Sequence, residues 1–127
     1  MTMAFGLELA FIPAARADPA NEACVALTDA RVALYSMINT KDKSIQDALN
    51  AKVQAASVRV DAALAGMTNA DAKVAADFKA VWGQFKATRE KEIIPAIYAG
   101  NVAEAKKISD GIQYERLSKM WSIMSCR

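Results

Sequence analysis

The stretch NTKDKSIQDALNAKVQAASVRVDAALAG, residues 39–66, gives the clearest structural signal in the chain. After the polar turn Thr40–Lys43, apolar side chains recur every three to four residues, the repeat of an amphipathic helix with one buried face. They are Ile45, Leu49, Val53, Ala56, Val60 and Leu64. We expect this helix to begin near Ser44, with Asp47 as a weak capping-box analogue, and to end at Gly66 as its C-cap.

A longer helix follows, capped by Thr68 or Asn69 and running to about Ala99. Pro95 lies inside it and should kink it, because the proline ring clashes with the carbonyl four residues earlier. Its apolar stripe consists of Val74, Phe78, Val81, Phe85 and Ile93, with Trp82 beside it.

The last helix starts after Gly100, where Asn101 and Glu104 form a second capping-box analogue. Its stripe is less regular than the others, and Gly111 marks a change of face. The apolar residues are Ala105, Ile108, Ile112, Leu117, Met120, Trp121 and Met124.

A first helix begins at Asp18, an N-cap followed by Pro19 at the first helical position, and runs to about Asn39. Short turns between helices of this length force sequential helices to lie antiparallel. The sequence therefore predicts an all-α protein, an antiparallel up-down-up-down four-helix bundle over residues 18–127.

Residues 1–17, MTMAFGLELAFIPAARA, resemble a signal peptide: an apolar run precedes the small-x-small pattern Ala15-Arg16-Ala17. The alternative is an apolar extension of a cytosolic domain. We favour export, which places the domain in the periplasm or outside the cell.

Cys24 and Cys126 lie near the two ends of the chain. In an up-down-up-down bundle these positions fall at the same end, on adjacent helices, and in an exported protein they should form a disulfide. The alternative is two separate thiols packed as small apolar residues.

Composition excludes several classes of function. There is no His, the commonest general base and metal ligand, and no nucleophile–base pair can be drawn, so we expect neither an enzyme nor a cofactor. Sixteen basic and fourteen acidic residues, spread along the chain, leave a net charge of +2. Binding to nucleic acid would require clustered Lys and Arg on one face.

Arg31 lies within the apolar face of the first helix. Its stem could run along the core towards water, or its charge could pair with a carboxylate such as Glu115. Alternatively, the guanidinium could hold a ligand carboxylate at an interface between two subunits.

Two weaker possibilities come from other side chains. Met120, Met124 and the thiols could bind Cu(I), although core packing is the simpler reading of these methionines. Trp82, Phe85 and Trp121 could line a pocket but are more simply core, and the stretch Arg89–Glu92 is most simply a solvated helix face.

Residues 81–120, VWGQFKATREKEIIPAIYAGNVAEAKKISDGIQYERLSKM, resemble the second helical hairpin of the four-helix-bundle sensor domains of methyl-accepting chemotaxis proteins. The matching features are the aromatic pair on helix three, the basic residue Arg89, and the small-residue turn 99–101 followed by Glu104-Ala105. In the first hairpin, Asp29-Ala30-Arg31 lies where such domains often have an arginine. Unlike a receptor, the chain has neither a second membrane-spanning helix nor a cytoplasmic coiled coil after helix four, which suggests a free-standing relative.

That resemblance implies a periplasmic homodimer, formed through helices one and four, that binds a small carboxylate-type ligand near the interface. By the resemblance Arg31 holds the ligand, with Tyr35 one turn on, and Gln113 and Arg116 at a similar height on helix four. Signalling would need a membrane-protein partner. The alternatives are an envelope structural or chaperone-like interaction module and, more weakly, the Cu(I)-binding protein.

Overall fold

The structure is a computed structural model that describes residues 18–126. The predicted signal peptide lies outside the described residues. Within this range the chain is all-helical, without a strand, and its helices form four segments. The first two are α1 (Pro19–Ile38) and α2 (Lys43–Ala65). The third consists of a 3₁₀ turn (Asn69–Asp71), α3 (Ala72–Thr88), a π turn (Arg89–Ile93) and α4 (Ile94–Tyr98). The fourth is α5 (Val102–Asp110) and α6 (Ile112–Met124). None of the helices over residues 18–126 has the length and hydrophobicity needed to cross a bilayer.

Local side-chain caps fix the starts of α1 and α2. Asp18 caps α1 as predicted, with its carboxylate accepting from the backbone N–H of Asn21 at 3.2 Å. For α2 the cap is Asp42, not Ser44: its carboxylate accepts from the backbone N–H groups of Ser44 (2.9 Å) and Ile45 (3.1 Å). Hydrogen bonds from the Ser44 hydroxyl and the Ile45 N–H hold the pKa of Asp42 below its usual value.

The glycine turns follow the sequence, but the predicted caps of the third and fourth segments form no side-chain hydrogen bond. Thr68 occupies the N-cap position of the 3₁₀ turn without one. Gly100 adopts a left-handed conformation with φ of +81° and ends the third segment. Gly111 separates α5 from α6, where the sequence predicts a change of face. Asn101 precedes α5 without any side-chain capping hydrogen bond, so the capping box predicted with Glu104 is wrong.

The third segment is distorted just ahead of Pro95. Over Arg89–Ile93 the helix widens into a π turn, in which the N–H of Ile94 bonds to the carbonyl of Arg89 five residues earlier. Proline has no N–H to donate and its ring crowds the preceding turn, so a local widening relieves both problems. Where the sequence predicts a kink at Pro95, the structure has a π turn over the five residues from Arg89 to Ile93.

The core consists of two apolar clusters, each with residues from all four segments. The first, the disulfide-end cluster, contains Ala23, Ala26, Leu27, Val60, Ala63, Leu64, Met67, Ala75, Phe78, Val81, Trp82, Phe85, Leu117, Met120 and Met124. The second, the turn-end cluster, contains Ala33, Leu34, Met37, Ile38, Val53, Ile93, Ile94, Ile97 and Ala105. Three residues of the predicted apolar stripes lie outside the core, because Ile45 is 47% exposed, Ile112 is 46% exposed and Trp121 is 37% exposed.

Cys24 and Cys126 pack against the disulfide-end cluster. Their sulfur atoms lie at disulfide-bonding distance and their Cα atoms are 5.7 Å apart, so the predicted pairing is confirmed in geometry. This pair holds the start of α1 beside the end of α6.

Candidate functional site

Arg31 lies among aromatic and charged side chains contributed by α1, α5 and α6. Its guanidinium carbon is 4.7 Å from the centre of the Tyr35 ring and 5.6 Å from that of Tyr114. One guanidinium nitrogen donates to the Tyr35 hydroxyl at 3.0 Å. We call Arg31, Tyr35, Lys106, Asp110 and Tyr114 the Arg31 cluster.

Tyr35 connects the two charged parts of this cluster. Its hydroxyl accepts from Arg31 and donates to the carboxylate of Asp110, which also receives a bond from Lys106 at 3.1 Å. Burial, with the hydrogen bond to Asp110, raises the pKa of Tyr35 to about 12, although the positive charge of Arg31 acts against this. The hydrogen bond from Tyr35, followed by that from Lys106, lowers the pKa of Asp110.

The charges of the Arg31 cluster do not balance. Lys106 forms an ion pair with Asp110, whereas Arg31 forms no ion pair with any residue in the range 18–126. Glu115, one possible partner by the sequence, is therefore not paired with Arg31, whose contacts are the hydroxyl of Tyr35 and the rings of Tyr35 and Tyr114. A guanidinium has five N–H donors, so Arg31 keeps donors for an anion in an orientation already set by Tyr35.

Gln113 and Arg116 belong to a different contact network, between α6 and α3. Gln113 is 1% exposed and donates its side-chain amide to the backbone carbonyl of Phe85 at 2.9 Å. Arg116 donates to the hydroxyl of Thr88 at 2.7 Å and to the amide oxygen of Gln113 at 3.0 Å. The four predicted site residues therefore form two separate pairs, Arg31 with Tyr35 and Gln113 with Arg116. Gln113 lies near the height of Arg31, since the next residue, Tyr114, contacts it, but its side chain is directed towards α3.

Arg89 does not lie on the solvated helix face that the sequence predicts for residues 89–92. It is 1% exposed, while Glu90, Lys91 and Glu92 are exposed. The signal was present in the sequence: Arg89 comes four residues after Phe85 and four before Ile93, which puts it on the buried stripe. The π turn places this residue, the first of its five, inside the bundle.

Arg89 has only part of its hydrogen-bonding capacity used. Its Nε donates to the carboxylate of Glu90 at 2.8 Å, and its guanidinium carbon lies 5.9 Å from the centre of the Trp82 ring. Its Nη1 is buried without a hydrogen-bond partner among the described residues, as are the hydroxyls of Ser57 and Ser109. Buried polar groups are nearly always paired, so each unpaired group calls for an explanation.

Two open grooves lie on the outer faces of α1. One, of about 440 Å³, lies between α1 and α2 and includes Lys52 and Arg59. The other, of about 380 Å³, lies between α1 and the end of α6, and Val25, Trp121 and the cysteine pair line it. Arg31 and Tyr35 line neither groove.

The two methionines that the sequence offers as Cu(I) ligands belong to the core. Met120 is fully buried and Met124 is 6% exposed, both within the disulfide-end cluster. Over residues 18–126 no group of three or more Cys, Asp or Glu side chains is arranged to hold a metal ion. Trp82 and Phe85 stack in the same cluster with ring centres 5.9 Å apart, whereas Trp121 is 37% exposed.

Comparison of the chain with protein-family models, with curated proteins and with solved structures gives no match.

Proposed function

We propose that this protein is an exported binding protein that recognises a small carboxylate through Arg31. The observation that carries the proposal is the guanidinium of Arg31, which Tyr35 orients and which forms no ion pair with any described residue. Arginine binds carboxylates through two parallel hydrogen bonds, and these are stronger where aromatic side chains exclude water. The proposal includes no catalytic step and no nucleic-acid partner.

The proposed architecture is an antiparallel up-down-up-down four-helix bundle. Its support comes from the membership of the two clusters. The start of α1 shares a cluster with the end of α2, the start of α3 and the end of α6, and the opposite ends share the other cluster. Sequential helices that alternate in direction produce this pattern.

The proposed setting is the periplasm or the cell exterior. It is supported by the signal-peptide pattern of residues 1–17 and by the cysteine pair, since disulfides persist in oxidising compartments. A homodimer through α1 and α6, with a membrane protein as signalling partner, completes the proposal. Exposed apolar side chains on these two helices support the dimer. They are Val25, Val32, Ile112, Tyr114 and Trp121.

The test is calorimetric titration of the full chain, disulfide intact, with sodium acetate, succinate and L-aspartate as probes. Arg31→Gln should weaken binding of the best probe by about tenfold or more, the usual effect of losing a hydrogen bond to a charged group. Arg59→Gln is the matched control, because Arg59 is already paired with Glu22 and Asp29 at 2.8 Å. Equal binding by the two variants, or no binding of any probe to the parent protein, would contradict the proposal.

A second candidate function is an envelope protein-interaction module. The same exposed apolar side chains of α1 and α6 favour it, because such surfaces commonly contact other proteins. Sedimentation of the full chain, read together with the carboxylate titration, separates the two candidate functions. A stable dimer that also binds a carboxylate fits the sensor-like protein, whereas a monomer that binds no carboxylate favours the interaction module.

A further inference from the structure

A layer of buried polar side chains separates the two apolar clusters. Each of its members lies, along its own segment of the chain, between residues of the two clusters. Ser57 lies between Val53 and Val60, Arg89 between Ile93 and Phe85, and Ser109 between Ala105 and Leu117. In each case the first flanking residue belongs to the turn-end cluster and the second to the disulfide-end cluster. The three residues, contributed by α2, the π turn and α5, therefore lie at a common level, and we call them the polar layer.

Each member of the polar layer has a buried polar atom without a partner. Ser57 is 5% exposed, and Arg89 and Ser109 are each 1% exposed. No described residue forms a hydrogen bond with Nη1 of Arg89 or with the hydroxyl oxygens of the two serines. An arginine N–H can only donate, and a hydroxyl can donate or accept, so each of the three can donate to an anion.

Hydrogen bonds between helices bring their backbones together at this level. Gln113, one turn after Ser109, donates to the carbonyl of Phe85, one turn before Arg89. The side-chain amide of Gln54, one turn before Ser57, donates to both carboxylate oxygens of Glu90 at 3.0 and 3.1 Å. Contacts on either side of the layer therefore hold its three helices in register.

The charges around the layer favour an anion over a water molecule. Two guanidiniums, those of Arg89 and Arg116, lie here, but among residues 18–126 only one carboxylate, that of Glu90, forms an ion pair with either of them. Arg116 bonds to Thr88 and Gln113, which are both neutral. The side chain of Glu90 is 43% exposed, so solvent screens its charge. Water would satisfy the hydrogen bonds and leave an excess positive charge partly buried, which is costly.

We propose that Arg89, Ser57 and Ser109 form an internal binding site for a small inorganic anion of halide size. Nη1 of Arg89 supplies the charged donor and the two hydroxyls complete the coordination. The apolar clusters on both sides of the layer offer no polar group to the rest of an organic carboxylate, which favours a monatomic ion. This site is distinct from the Arg31 cluster and binds a different class of ligand.

The first test measures thermal unfolding of the full chain in sodium chloride and sodium bromide against sodium methanesulfonate, which carries no carboxylate for Arg31, at constant ionic strength. A ligand that binds only the folded state raises the unfolding temperature in a saturable way. Chloride and bromide should do so, whereas methanesulfonate is too large to enter. The absence of a halide-specific rise would overturn the proposal.

Ser109→Ala tests the location without endangering the fold, because it removes a hydroxyl that has no partner in the described part of the chain. The chloride concentration at half-effect should rise about tenfold or more, as expected for loss of a hydrogen bond to a charged group. Ser118→Ala, at an exposed position of α6, is the matched control and should leave it unchanged. A halide effect of equal strength in Ser109→Ala would show that the layer is not the site.

Bromide provides a direct measurement. Anomalous diffraction from crystals soaked in sodium bromide should place a bromide beside Nη1 of Arg89. Bromide only at Arg31, or loss of the halide effect in Arg31→Gln, would assign the effect to the other site and reject this one. If Arg31→Gln keeps the halide-dependent rise in unfolding temperature, the internal anion site is distinct from the proposed carboxylate site at Arg31.

Discussion

The hydroxyl of Tyr35 donates a hydrogen bond to the carboxylate of Asp110, which lies 75 residues further along the chain. This contact joins α1 to the last residue of α5. Because Arg31 donates to the same hydroxyl, the tyrosine also fixes the guanidinium. The orientation of the proposed ligand-binding arginine thus depends on a residue from the opposite half of the sequence.

Replacing Tyr35 by phenylalanine should change the behaviour of the protein in alkali. A tyrosine pKa raised by folding stabilises the folded state fully below the unfolded value of 10.0, and this stabilisation is lost as pH rises through the folded value of about 12. The parent protein should therefore lose stability between pH 10 and 12, and Tyr35→Phe should lose less. Denaturant unfolding at several pH values measures the difference.

Ultraviolet titration of the same variants identifies the group. The absorbance change with a midpoint near pH 12 should disappear in Tyr35→Phe and persist in Tyr98→Phe. Persistence of that change in Tyr35→Phe would show that Tyr35 is not the group that titrates there.

Removing the cysteine pair should lower the free energy of unfolding substantially. The pair closes a loop between positions 102 residues apart. The chain-entropy model gives about 4–5 kcal/mol for a loop of this length. We expect Cys24→Ala/Cys126→Ala to be less stable than the parent by an amount of this order in urea unfolding without reductant.

Reductant provides the control for that measurement. Dithiothreitol should destabilise the parent and leave the double variant unchanged. A parent protein that loses no stability on reduction, or whose mass does not rise by two hydrogens, would contradict the disulfide.

Two glycines should respond in opposite directions to alanine. Gly100 has φ of +81° with open space around it, so Gly100→Ala adds only backbone strain and should cost about 1 kcal/mol. Gly83 lies within α3, and an added Cβ there would meet nothing within 4 Å. Gly83→Ala should stabilise by about 0.5–1 kcal/mol, because alanine is the better helix former. Thermal unfolding of both variants gives the comparison, and the same sign of change at both positions would contradict it.

Asp61 anchors the largest aromatic side chain of the disulfide-end cluster. The indole N–H of Trp82, a residue 1% exposed, donates to its carboxylate at 2.8 Å. Asp61→Ala removes the acceptor and should cost about 1–3 kcal/mol in urea unfolding. Asp61→Asn keeps an oxygen acceptor while removing the charge that pairs with Lys86. That variant should cost less than about 1 kcal/mol, and equal losses in the two variants would show that the charge matters more than the indole bond.

The positions of the helices could be predicted wherever the signal was local. The Asp18–Pro19 start, the Gly100 stop and the break at Gly111 all depend on backbone and side-chain preferences within one turn. The local signal for the start of α2 is ambiguous. Ser44 and Asp42 both suit a helix start, and the sequence alone did not indicate which would accept the backbone N–H groups.

Burial was predicted less well than helix position. Phe78, Phe85 and Val60 lie in the core as the periodicity indicates, whereas Ile45 and Ile112 remain at the surface. Both of the latter lie in the first turn of their helices, where fewer neighbouring segments cover a side chain. The burial of Arg89 is harder to predict, because charged side chains are rarely buried even where they lie on an apolar stripe.

The sequence by itself determined the helical class, most helix boundaries and the expectation that Cys24 and Cys126 would meet. These follow from interactions over a few residues and from the order of segments along the chain. Only the tertiary structure decided that Arg89 is buried beside unpaired hydroxyls and that Arg31 pairs with Tyr35 rather than with Glu115. Helical periodicity indicates which face of a helix is covered, but the partners of a side chain come from distant segments, whose rotation and level only the packed core fixes.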